Sequence, residues 1–177
     1  MQLEAVGAQE VVVGIVAEAF VKFVTRLCEC EKLKKQHERD FELAKVAEEV
    51  TKALSDGREG TFGPVTIKVQ KKFLGRREVK VWLYGNEVDP NTLLAELSKA
   101  KSRTAWLLSD CSDHALIEVL YPYEDRYLIE VVQKNMEEIK SLCTGAAPKI
   151  EFGEAPAHVV EGVMKGVEAY LSRHAGA

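Results

Sequence analysis

No apolar run in this sequence is long and uncharged enough to cross a bilayer. The most apolar stretch, Val11 to Val24, covers fourteen residues and already holds Glu18 and Lys22, whereas a spanning helix needs roughly twenty nearly uncharged ones. A secretory leader is not expected either, because Glu4 and Glu10 precede that run and more acids follow it. Both absences point to a cytoplasmic protein without a membrane partner. The phosphate and metal signatures G-x-G-x-x-G, G-x-x-x-x-G-K-[ST] and H-E-x-x-H are missing as well. Gly57, Gly60 and Gly63 form a glycine series, but it leads into a strand pattern, whereas phosphate-cradling loops lead into a helix.

Cysteine is sparse, with residues 28, 30, 111 and 143 giving no C-x-x-C pair, and the histidines at 37, 114, 158 and 174 complete no zinc-ligand spacing. Reduced thiols in a cell interior are the expectation, with no metal and no cofactor. Cys28, Cys30 and His37 make a poor metal site on a helix, since residues i and i+2 diverge by roughly 200°. Only three asparagines occur, at 86, 91 and 135, beside abundant Lys, Glu and Val. That composition leans toward heat-adapted proteins, in which a cytosolic disulfide is also compatible.

What is present is an ordinary folded-protein composition: 177 residues, 46% hydrophobic, 29% charged, net charge -4. No long linker or internal repeat divides it, so one domain is expected, with residues 1–56 as a helical arm and 57–177 as an α+β core. In the arm, Val12, Ile15, Val16, Ala19, Phe20, Phe23, Val24 and Leu27 recur at helical spacing, and a second set resumes at Phe41, Leu43, Val46, Ala47, Val50 and Leu54. One unbroken helix over 8–54 would measure about 70 Å. It must therefore fold back near Glu29 to Asp40 or pair with another chain. Val13, Ala17 and Val21 lie off the main stripe, and this surplus apolar surface points to a homo-oligomer with Val12, Val16, Phe20, Phe23 and Leu27 at its interface.

Past the glycine loop, Val65, Ile67 and Val69 alternate with Thr66, Lys68 and Gln70, and the pattern returns in Val79, Val81 and Leu83 against Lys80, Trp82 and Tyr84. This predicts a β-hairpin at the centre of a small mixed sheet, turning through Phe73 to Arg77. Next come a helix bearing Leu93, Leu94 and Leu97, a short buried strand at Thr104 to Leu108, and helices over Ser112 to Tyr121 and Asp125 to Cys143. A hairpin joining Leu116–Tyr121 to Ile129–Val132 is the alternative for that region. An edge strand over Pro148 to Phe152 and a closing helix over Ala157 to Arg173 complete the α+β fold.

The hairpin concentrates charge. From Val65 to Tyr84 it carries six cations, Lys68, Lys71, Lys72, Arg76, Arg77 and Lys80, against one acid, Glu78; residues 1–60 hold 9 Lys+Arg against 12 Asp+Glu, and residues 85–177 hold 9 against 15. A cationic ribbon on an acidic body suits a polyanion. With the valines turned inward, Lys68, Lys72, Arg76, Lys80, Trp82 and Tyr84 share the other face. Cations neutralise phosphates and rings stack on bases, so DNA or RNA is the expected partner. Lys68, Lys72, Arg76, Arg77 and Lys80 would meet phosphates, and Trp82 and Tyr84 would stack. The competing expectations are solvation or edge protection of an exposed sheet face, and an acidic protein partner.

Glu78-Val79-Lys80 resembles the acid and lysine of metal-dependent nucleases with a restriction-endonuclease-like core, in which a second acid joins them to hold Mg²⁺. The adjacent strand offers Thr66, Lys68 and Gln70 in place of that acid, and Glu138-Ile139-Lys140 repeats the triplet on a helix. Asp110, Cys111, Ser112, Asp113 and His114 group a thiol with a histidine, but the acids oppose a thiolate and Ser or Asp caps helices. Tyr121, Tyr123 and Tyr127 surround Pro122 as core anchors or a surface patch. The reading is a non-catalytic interaction protein.

Overall fold

The structure, a computed structural model, describes residues 2–174, with side chains from residue 8 onward. It is an α+β fold whose chain divides into two compact units, Met1–Leu33 with Ser109–Ala177, and Lys34–Leu108. Both crossings between them, at 33/34 and 108/109, fall inside helices.

The first unit is helical. Helix α1 runs Gln2–Gln36, of which residues up to 33 belong here. After a chain crossing come α4 (Asp113–Glu118), a 3-10 turn at Tyr121–Tyr123, α5 (Arg126–Lys134), α6 (Met136–Ile139), a second 3-10 turn at Lys140–Thr144 and α7 (Ala157–His174). The hairpin alternative for 116–132 does not form. Asp125 caps α5 by accepting the Tyr127 and Leu128 amides, and Ser112 caps α4 by accepting the Ala115 amide.

Helix α7 lies close against α1 because it carries no side chain at two successive turns. A Cβ on Gly162 would stand 2.4 Å from Val16 Cγ1, and one on Gly166 would stand 2.8 Å from Phe20 Cδ1. Val16, Phe20, Phe23 and Leu27 are thereby consumed within the unit, none exposing more than 3% of its surface. This corrects the expected oligomer interface: of its five residues only Val12 remains exposed, because the stripe buries against its own chain.

The expected free thiols are also corrected, since the structure pairs Cys28 with Cys143 and Cys30 with Cys111, leaving no free cysteine among the described residues. The roughly 200° that separates i and i+2 on a helix sends the two α1 cysteines to different partners, one in the second 3-10 turn and one ahead of α4. The edge strand expected at Pro148–Phe152 is likewise absent. That segment is held instead by buried Asn135, which donates Nδ2 to the Glu151 carbonyl at 2.8 Å and accepts the Glu151 amide at 2.9 Å.

The second unit contains α2 (Glu38–Asp56), a four-stranded sheet and α3 (Pro90–Asp110), whose residues up to 108 belong here. The chain breaks between α1 and α2 at His37. Strands β1 (Gly60–Phe62), β2 (Val65–Lys71), β3 (Arg77–Leu83) and β4 (Asn86–Val88) follow in spatial order β1-β2-β3-β4. All neighbours are antiparallel, so the sheet is a meander and not the mixed sheet expected. Its inner face sets Val65, Ile67 and Val81 against Leu43, Ala47 and Val50 of α2 and Leu93, Leu97 and Ala100 of α3, with Val79 and Leu83 packed alongside.

The strand expected at Thr104–Leu108 is the last part of α3. Buried Leu93, Leu97, Ala100, Thr104 and Leu107 keep steps of four and three, the spacing of one helix face. Trp106 and Leu108, which make the segment look continuously apolar, face outward.

Candidate nucleic-acid interface

The strands differ in length, and that difference builds the site. β1 pairs with β2 only through Ile67, and β4 pairs with β3 only from Val81 onward. Beyond those rungs, β2 and β3 continue as a two-stranded arm with the register Lys68↔Lys80, Val69↔Val79, Gln70↔Glu78 and Lys71↔Arg77. Four rungs at about 3.3 Å per residue make the paired part roughly 13 Å long, before the tip. All six hairpin cations lie on this arm or its tip, and none lies on the four-stranded part.

The register distributes the cations over both faces. Alternation places Lys68 and Lys80, with Gln70, Glu78 and Trp82, on the outer face, and puts Lys71 and Arg77 on the face that continues the core side. Both like-charged pairs sit directly opposite one another, an arrangement that destabilises an antiparallel ladder. Lys68 also places its ammonium 5.5 Å from the centroid of the Trp82 ring, a cation-π contact.

Lys72 is the cation most fully occupied within the arm. Its Nζ lies 2.6 Å from Glu78 Oε2, and this bond, ahead of the fields of Lys72 and Lys80, holds the Glu78 carboxyl below its ordinary range against the opposing effect of burial. Among the described residues, Lys68, Lys71, Arg76, Arg77 and Lys80 make no salt bridge. Five of the arm's six cations therefore have no carboxylate within salt-bridge distance among the described residues, although Lys80 shares the field of Glu78 and Glu59 accepts the Val69 amide on the β2 edge at 2.9 Å.

Tyr84 does not join the outer face. It follows β3 in the left-handed region at φ 50, and its hydroxyl donates to Glu42 Oε2 on α2 at 2.9 Å while the Arg39 guanidinium lies 4.8 Å from its ring centroid. Burial first, and then the Glu42 bond and charge, push its phenol up to about 12. The expected stacking role is corrected on that ground: the ring is an anchor between the hairpin's base and α2. Trp82 is half-buried on the outer face, beneath Lys68.

The tip holds two residues that pattern reading passed over. Phe73 and Leu74 are 89% and 85% exposed, more than any other large hydrophobic residue with a described side chain. They occupy a 3-10 turn closed by the Lys72 amide donating to the Arg76 carbonyl at 2.6 Å. Leu74 takes φ 68, ψ 28 and Gly75 takes φ 75. The left-handed region costs a residue with a Cβ about 1–2 kcal/mol. The sequence does carry the signal, as Lys71-Lys72-Phe73-Leu74-Gly75-Arg76-Arg77 brackets an apolar pair between two cation pairs.

The other groupings of reactive residues do not assemble. Cys111 is bonded to Cys30, Ser112 caps a helix, and His114 pairs with the exposed Glu118, at 3.3 Å. Glu78 faces Gln70 and bonds Lys72, so the nuclease resemblance does not extend to a second acid, and no group of three His, Cys, Asp or Glu among the described residues is placed to hold a metal. No described helix is long and apolar enough to cross a membrane. In comparisons with family models, curated proteins and solved structures, nothing matches the chain.

Proposed function

We propose that this is a non-catalytic nucleic-acid-binding protein whose β2–β3 arm enters a groove of a duplex. The observation that supports the reading is the pair of like-charged rungs, Lys68↔Lys80 and Lys71↔Arg77, on opposite faces of a two-stranded ribbon. A flat platform would need its cations on one side. A groove presents phosphates on both, and strands and two-stranded ribbons enter either groove of B-form DNA. Placing phosphates beside each rung removes the repulsion that the free arm carries and releases condensed counterions.

The roles follow from position. Lys68, Lys71, Arg77 and Lys80 contact the two phosphate walls, and Arg76 reaches the backbone at the tip. Lys72, tied to Glu78, braces the turn. The acidic remainder of the chain opposes close wrapping of nucleic acid around the body, which confines the contact to the arm.

Titration of labelled duplex at several salt concentrations tests this. Five phosphate contacts give a slope of log K against log salt of about -4.5, and the Arg76→Glu/Arg77→Glu variant, both positions being exposed, loses binding while keeping its helical and sheet signal. Salt-independent binding, or binding unaltered in that variant, removes the proposal.

A further inference from the structure

We infer that Phe73 and Leu74 form a wedge that inserts between base pairs of duplex DNA from the minor-groove side and bends it at the point of entry. This deepens the reading above and rests on it. Water-exposed Phe and Leu side chains gain by burial, and the tip presents both at its extremity, 89% and 85% exposed, with Lys71 and Lys72 before them and Arg76 and Arg77 after. Apolar wedges of this kind unstack a base step where flanking cations hold the adjacent phosphates. The left-handed turn at Leu74 and Gly75 sets the wedge at the arm's end, and the Lys72–Arg76 backbone bond and the Lys72–Glu78 ion pair brace it.

An anionic lipid surface offers the same chemistry, an apolar interior behind negative phosphates, but it fits the arm less well. The Lys68↔Lys80 rung lies three residues behind Lys71↔Arg77, about 10 Å along the strands. Charges set back that far from a plane lie at or beyond a Debye length of about 8 Å at physiological salt. A duplex that receives the arm lengthwise offers phosphates at both distances.

The test uses the full chain and a duplex of about 30 base pairs carrying a donor and an acceptor dye at its ends. Wild-type protein is expected to shorten the end-to-end distance by a bend in the range of about 20–90°. Phe73→Ala/Leu74→Asn, with asparagine chosen because it tolerates the left-handed region, is expected to bind within about tenfold of wild type with the same salt slope and to leave the duplex straight. If wild type binds and the duplex stays straight, or the variant still bends it, the wedge is wrong and arm binding stands. If wild type shows no salt-dependent binding, both readings fall. Co-sedimentation with vesicles containing phosphatidylserine forms the second arm: wild-type binding that the variant loses, together with a straight duplex, overturns the wedge in favour of a lipid surface.

Discussion

Lys68 and Lys80 face each other across the β2–β3 ladder, two ammonium groups on adjacent strands of a ribbon that other strands no longer flank. In the free protein this rung opposes hairpin pairing, and with a polyanion bound it favours the complex. Lys80→Thr separates the two effects. Removing the repulsion and adding a β-branched residue stabilises the hairpin by about 0.2–1 kcal/mol, while the Lys68 contact with Trp82 stays intact. Urea denaturation should show the gain, and the salt slope of duplex binding should fall by about one unit. A destabilised variant, or an unchanged slope, contradicts the assigned role.

The α1–α7 contact depends on absent side chains. Alanine at Gly162 would set its Cβ 2.4 Å from Val16 Cγ1 and 2.5 Å from Val16 Cβ, and the second of these atoms cannot rotate away. Overpacking of this kind costs about 1–3 kcal/mol, against a gain of up to about 1 kcal/mol in helix propensity. Gly162→Ala should therefore lower the denaturation midpoint. A variant as stable as wild type would show that the helices are not packed this closely.

Two disulfides close long stretches of chain, Cys30–Cys111 over a separation of 81 residues and Cys28–Cys143 over 115. Each is expected to contribute about 2–4 kcal/mol by restricting the unfolded chain. Thiol titration of the denatured, unreduced protein should find no free cysteine, and reductant should lower the melting temperature. Cys28→Ser/Cys143→Ser should reproduce part of that loss. Four free thiols in the purified protein would contradict the pairing.

Tyr84 supplies an alkaline signature. Its folded-state pKa of about 12 lies above the ordinary 10.0, so the neutral phenol favours the fold. That contribution is complete below pH 10 and is lost as pH rises through about 12. Absorbance titration should resolve a tyrosine ionising near pH 12 that disappears in Tyr84→Phe, and the stability difference between wild type and variant should change with pH only in that window. A titration in which Tyr84→Phe removes nothing near pH 12 would show that the Tyr84 phenol is not buried against Glu42.

Much of the fold could be read from local pattern. The valine alternation in β2 and β3 records a sheet with one buried face, and the inner residues are those expected except Val69, which lies on the arm outside the core cluster. The stripe on α1 was equally legible as an apolar surface, but periodicity says that a face is buried without saying against what. It met Gly162 and Gly166 of its own chain, more than a hundred residues later. Thr104 to Leu108 failed for a related reason: a short apolar run fits helix or strand equally well, and the steps from Leu93 to Leu107 decide it only when α3 is followed through its full length.

The candidate site divides in the same way. Its cations, its turn and the apolar pair at its tip stand in consecutive sequence, because charge and local turn chemistry are properties of neighbouring residues. Register, arm length and anchorage depend on segments distant in the chain: β1 and β4 end early and so free the arm, Glu42 draws Tyr84 away from the outer face, and the pairing of β2 with β3 sets Lys68 opposite Lys80 and Lys71 opposite Arg77. A sequence specifies which surfaces must leave water and which charges must stay in it. Which surface meets which is settled by packing and closure between remote segments, and here that closure set like charges opposite one another on a ribbon that no other strand flanks.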